Sequence, residues 1–182
     1  GTLGRFPENS SGQMYLVENM LQAEILKVNQ PENLCLVTQT TLSVSDTEEI
    51  VLKLKEKFPM LQEPKSEDIC YATQNRQDAV KQLALESDLI LVVGSENSSN
   101  STRLKELAEN CGVKSFLVDD PEKISSINLE GVKTMGITAG ASAPEELVQQ
   151  MVSKCSTLGY KINQEISGLK EEVFFKLPAE LR

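Results

Sequence analysis

Three short runs of hydroxyl and amide side chains stand out for what they could bind. They are Thr40 within Thr38-Gln39-Thr40-Thr41, the triplet Ser98-Ser99-Asn100, and Ser142 within Ala139-Gly140-Ala141-Ser142. Each follows a short apolar run and leads into an amphipathic stretch, so each is expected at the first turn of a helix. Helix N-termini offer free N–H groups and a partial positive charge, a combination that suits phosphate oxygens. The same residue types are also the preferred N-caps, so any one loop taken alone reads as an ordinary cap as well. A triplet exceeds what one cap needs. Cys70 stands in Asp68-Ile69-Cys70-Tyr71-Ala72-Thr73, just ahead of a helix expected from about Asn75. A helix N-terminus favours thiolate, available there for metal or redox work. One thiolate does not hold an iron–sulfur cluster, which takes three or four. Cys111 and Cys155 fall on apolar helical stripes and Cys35 lies in an apolar run, so these three are expected to pack in the core. Arg76, Arg103 and Lys105 are the cations nearest the hydroxyl loops and are expected on solvated helix faces. Neither G-x-G-x-x-G nor a Walker sequence occurs, so a dinucleotide or nucleoside triphosphate is not indicated.

The elements that must position these residues follow from hydrophobic period. Strands are expected at residues 14–17, 34–37, 89–93, 115–118 and 134–138. Helices are expected at residues 20–27, from Ser45 with Ile50, Leu54 and Phe58 on one stripe, and at residues 75–86. A further helix carries Leu104, Leu107, Ala108 and Cys111 and stops at Gly112. The last carries Leu147, Met151, Cys155 and Leu158 and stops at Gly159. Ser45 with Glu48, and Ser142 with Glu145, have the spacing of capping boxes. Strands alternating with helices predict an α/β fold: two similar small α/β units with mostly parallel sheets, their strand C-terminal ends facing a shared cleft. Residues 1–66 form the first unit, with Pro64-Lys65-Ser66 at the boundary, and residues 67–158 the second. Residues 159–182 form a tail returning to the first, with Val173-Phe174-Phe175 as a closing strand.

Composition narrows the chemistry. The 182 residues carry 18 Lys and Arg against 27 Asp and Glu, a net charge of −9, with no basic run. Nucleic acid and anionic membrane are poor partners for such a surface. There is no His, which excludes imidazole acid–base catalysis and His-ligated metal within these residues. The longest apolar run, residues 89–93, is far too short to cross a bilayer. No cationic-then-apolar leader opens the sequence. Four Cys without C-x-x-C spacing fit free thiols in a reducing cytoplasm. Gly1-Thr2-Leu3-Gly4 reads as the interior of a longer chain, a tag scar or a processing site.

The same segments resemble a known family. Thr38-Gln39-Thr40-Thr41-Leu42-Ser43, Asp68-Ile69-Cys70-Tyr71-Ala72-Thr73 with Asn75-Arg76-Gln77, residues 93–101, Thr138-Ala139-Gly140-Ala141-Ser142-Ala143-Pro144 and the ending Pro178-Ala179-Glu180-Leu181-Arg182 all match it in order. The chain looks like the hydroxymethylbutenyl diphosphate reductases, the LytB or IspH family. That resemblance implies a [4Fe–4S] oxidoreductase of the last step of the non-mevalonate isoprenoid pathway, with ferredoxin or flavodoxin as electron donor. It implies a location in the bacterial cytoplasm or a plastid-type stroma. By motif, Cys70 matches the last of three cluster ligands. Ser98, Ser99, Asn100 and Ser142 match residues that hold the diphosphate, and Thr40 matches a hydroxyl beside the substrate's leaving group. The family's other two cluster Cys, its diphosphate-binding His and its proton-donating Glu have no counterpart here. The resemblance therefore implies a C-terminal fragment, lacking the N-terminal part and expected to be inactive alone. A non-catalytic phosphate-binding α/β module and a purely structural α/β domain are the alternatives.

Overall fold

Five apolar residues in succession, Leu89–Val93, form β1, and every one is buried. A strand buried on both faces must be central, and here it is: β1 lies between β2 (Lys114–Val118) and β3 (Met135–Ala139), parallel to both. The computed structural model describes residues 3–7, 10–42, 44–63 and 69–166. The chain divides into two units, one of Gly1–Thr38 with Val44–Asp68, the other of Gln39–Ser43 with Ile69–Arg182.

The second unit is an α/β sandwich built on that sheet. Side chains alternate across a strand, so Ile90 and Val92 face one way and Leu89, Leu91 and Val93 the other. The first pair packs with Val80 of α3 (Tyr71–Glu86) and with Leu104 and Ala108 of α4 (Ser99–Asn110). The second set packs with Ile124 and with Met151 and Cys155 of α5 (Glu145–Thr157). Residues 115–118 and 134–138 form strands as expected, each within one residue of its expected bounds.

Two glycine stops also form as expected. After α4, Gly112 has φ 84° and donates to Glu109 O at 2.9 Å, while Val113 donates to Ala108 O at 3.1 Å. After α5, Gly159 has φ 97°, donating to Ser156 O at 3.0 Å, and Tyr160 donates to Cys155 O at 3.1 Å. These are paired bonds of the Schellman kind, and the left-handed backbone they need favours glycine.

In the first unit, α1 (Met20–Ile25) is capped by the Asn19 side chain, which accepts from Gln22 N–H at 2.9 Å. Ala23 of α1 packs with Leu54 of α2 (Val44–Lys57) and with Phe58, the stripe expected from the sequence. Neither expected strand of this unit forms. Residues 34–37 make one parallel bridge, Cys35 with Gln62, and residues 14–17 join no ladder. A ladder needs a partner along its whole length, and among the described residues only Gln62 offers one. The segment still alternates: Leu34 and Leu36 turn into the core, while Cys35 and Val37 are exposed. Cys35 is therefore not a core residue; its thiol lies 3.6 Å from Gln62 Oε1. The Ser45 side chain with its box, the Pro64-Lys65-Ser66 boundary and the Val173-Phe174-Phe175 strand lie outside what the structure describes.

One carboxylate fixes the start of the sheet. Asp88, the residue before β1, accepts from Thr134 N–H at 2.8 Å and Lys133 N–H at 2.9 Å, and donates its own N–H to Thr134 O at 2.9 Å. The two amide donors, Thr134 first, hold its carboxyl below the ordinary 3.8. A folded-state value below the unfolded one adds stability that is present in full above the unfolded value and is lost as pH falls through the depressed one. Asp88→Ala should thus lower the thermal midpoint at pH 7. In circular dichroism melts, the gap to the parent protein should narrow as pH drops below about 4.

Candidate functional site

The three strands end in register: Val93 is level with both Val118 and Ala139. One further bond on each side carries the ladder to a glycine, Gly94 N–H to Val118 O at 3.0 Å and Gly140 N–H to Val93 O at 2.9 Å. The loops bearing Ser98 and Ser142 therefore leave the sheet at the same end. Helix α3 delivers a third group there. Its last turn lies against the start of β3, where a Cβ on Gly136 would come within 2.6 Å of Leu83 Cγ and 2.7 Å of Ser87 Oγ. Sixteen helical residues run about 24 Å back along the sheet. The α3 N-terminus, with Cys70, thus lies toward the strand carboxyl ends.

Cys70 is itself the N-cap, so the helix begins four residues before the expected Asn75. Its carbonyl accepts from Thr73 and Gln74 N–H at 2.8 and 3.0 Å, its N–H donates to Thr40 O at 3.2 Å, and its thiol is exposed. The Thr40 segment is gripped a second time by Gln77. That side chain is buried, and its Nε2 donates to Leu42 O at 2.8 Å. Sequence reasoning missed Gln77, although Thr73, Gln77 and Val80 share one helical stripe and all three are buried. Two polar residues on a buried stripe are the signal of a tie to backbone.

At α4 the N-cap is Ser98, whose Oγ accepts from Ser101 N–H at 3.3 Å. Ser99 is exposed, but Asn100 is only 6% exposed, and neither its Oδ1 nor its Nδ2 has a hydrogen-bond partner. An unpaired buried polar group costs about 1–3 kcal/mol and needs a reason. Among the described residues the other such side-chain atom is Ser87 Oγ, against Gly136 at the opposite end of the sheet. Ser142 departs from expectation. Pro144 caps α5, so no Ser142–Glu145 box forms; the backbone turns at Ala143 N–H to Gly140 O, 3.0 Å, and leaves Ser142 exposed. Ser98 thus serves as an ordinary cap, but capping does not account for Asn100 or Ser142.

Arg103 pairs with Glu106 and Lys105 with Glu109 on the α4 face, both at 2.6 Å, as expected, whereas Arg76 is half-buried and donates to Ala72 O at 2.9 Å. Cys155 is buried against Met135, and burial pushes its thiol up. Cys111 is exposed rather than packed, because α4 ends at Asn110 and the chain turns away at this C-cap. Among the described residues no three His, Cys, Asp or Glu gather as a metal site. A cavity of about 1060 Å³ runs along the free edge of β3 past Leu83, Val148 and Tyr160 and touches none of the six candidate residues.

The family model described as LytB protein matches residues 1–156. The chain belongs to that family. Among LytB relatives, the 4-hydroxy-3-methylbut-2-enyl diphosphate reductase of Chromohalobacter salexigens is 53% identical over all 182 residues, covering 57% of its own length. That of Aeromonas salmonicida is 52% identical over the whole chain and 58% of its length. The chain thus spans somewhat over half of the curated relatives it matches. A solved structure, the E-1-hydroxy-2-methyl-but-2-enyl-4-diphosphate reductase from Plasmodium falciparum, aligns with a TM-score of 0.71 at 38% identity. It covers 76% of this chain and 44% of that one.

One side chain packs against both strand ends. A Cβ on either Gly94 or Gly140 would overlap the Ser101 hydroxyl. Gly140→Ala should therefore destabilise by about 1–3 kcal/mol, the range for overpacking. A lower urea midpoint at unchanged slope is the expected reading.

Proposed function

We propose that this chain is part of an iron–sulfur reductase converting hydroxymethylbutenyl diphosphate to isopentenyl and dimethylallyl diphosphate. The C–O bond of the allylic alcohol breaks. Two electrons and two protons are taken up, one proton ending on carbon and one on departing water. The names of the LytB relatives support this reading, and the unpartnered amide of Asn100 carries it to a site.

In this reading Ser98, Ser99, Asn100 and Ser142 bind the diphosphate at the α4 N-terminus, where free N–H groups add to the hydroxyls. The Asn100 Nδ2 donates to a phosphate oxygen, and its Oδ1 accepts from a hydroxyl. Thr40, held by Cys70 and Gln77, presents its hydroxyl beside the leaving group. Cys70 offers one exposed thiol toward a [4Fe–4S] cluster. The donor set here does not fit that group by itself, since Cys35 lies in the other unit, Cys155 is buried in the core and Cys111 closes the far end of α4. The remaining ligands belong to the part of the relatives' length that this chain does not span. Ferredoxin or flavodoxin is the electron donor in this reading, and the cytoplasm or a plastid stroma the location. The isolated chain binds diphosphate without turning it over.

In the full-length protein, Asn100→Ala should raise KM by roughly tenfold or more, the loss of a charge-assisted hydrogen bond. Cys70→Ser should abolish the iron–sulfur absorption after anaerobic reconstitution. An Asn100→Ala enzyme with unchanged KM and kcat would sink the assignment of the phosphate site.

A further inference from the structure

Ser101 is 1% exposed and therefore screened from solvent, yet every partner it has belongs to the site. Its N–H donates to Ser98 Oγ at 3.3 Å, and its own Oγ lies 3.0 Å from the same oxygen. A Cβ at Gly94 or Gly140, at the ends of β1 and β3, would overlap that hydroxyl. A serine hydroxyl has one hydrogen and two lone pairs. The backbone N–H fills one lone pair of Ser98, and a single hydrogen bridges the two oxygens. Were it the Ser98 hydrogen, the Ser101 hydrogen would be buried without an acceptor, because Ser98 Oγ is the only hydrogen-bond partner of Ser101 Oγ among the described residues. An unmade buried bond is the more costly arrangement. Ser101 therefore donates.

We infer that Ser101 is a positioning residue that makes Ser98 an obligate hydrogen-bond donor. With both lone pairs occupied, the half-buried Ser98 hydroxyl has only its hydrogen to offer a ligand. It favours a deprotonated phosphate oxygen and disfavours any group that must donate at that point. This role rests on the phosphate reading above and adds to it the source of selectivity at one subsite. It also explains the two glycines, since only a residue without Cβ leaves room for the donating hydroxyl.

Calorimetric titration with inorganic pyrophosphate tests it in the parent chain, Ser98→Ala, Ser101→Ala and the double variant, with a thermal melt of each. Ser101→Ala should weaken binding roughly fivefold, the value of one net hydrogen bond. In the Ser98→Ala background the same change should cost nothing further, because Ser101 acts only through Ser98. An equal loss in both backgrounds, or no loss in either, would overturn the role of Ser101 while leaving the phosphate site standing. Absence of saturable binding by the parent chain would overturn both.

Discussion

The joint where Ser101 meets Gly94 and Gly140 governs much of what this fold presents. Parallel strands in register bring two loops to one end of a sheet, but register alone leaves those loops free to splay. A single buried hydroxyl, wedged where two Cβ atoms would otherwise be, packs the first turn of α4 against the ends of β1 and β3. The N-cap Ser98 and the buried Asn100 lie just before that wedge, three residues and one residue away. Rigid support of this kind is what a binding site needs, because a donor misplaced by a fraction of an ångström loses much of its value.

The electrostatics around the proposed anion site are unusual. The chain carries −9 overall, and the lysine and arginine on α4 are engaged with glutamates one turn away. In the proposed reading, what the first turn of α4 itself offers an anion is oriented dipoles: helix N–H groups, hydroxyls and one amide. Such groups are fixed in direction, so they select by geometry where a mobile lysine would select by charge.

Much of the scaffold was legible from residue types. An unbroken apolar run marked the central strand, and Gly112 and Gly159 marked two helix ends, because those signals depend only on local chemistry. What escaped depended on partners distant in sequence. Residues 34–37 have the composition of a strand but find only Gln62 beside them. Cys35 and Cys111 belong to apolar patterns, yet one faces outward by alternation and the other falls where its helix lifts away. Ser142 has cap spacing, but Pro144 occupies the cap, since its fixed φ and missing N–H suit a helix entrance. Asn100 was visible as one of three polar residues; its burial without a partner was not, because that depends on the whole fold around it.

The grip of Gln77 on Leu42, with that of Cys70 on Thr40, assigns residues 39–43 to the larger unit although the chain on either side belongs to the smaller. The threonine hydroxyl and the cysteine sulfur are consequently borne by one body. Their mutual placement is an internal coordinate of that body, set by its own hydrogen bonds.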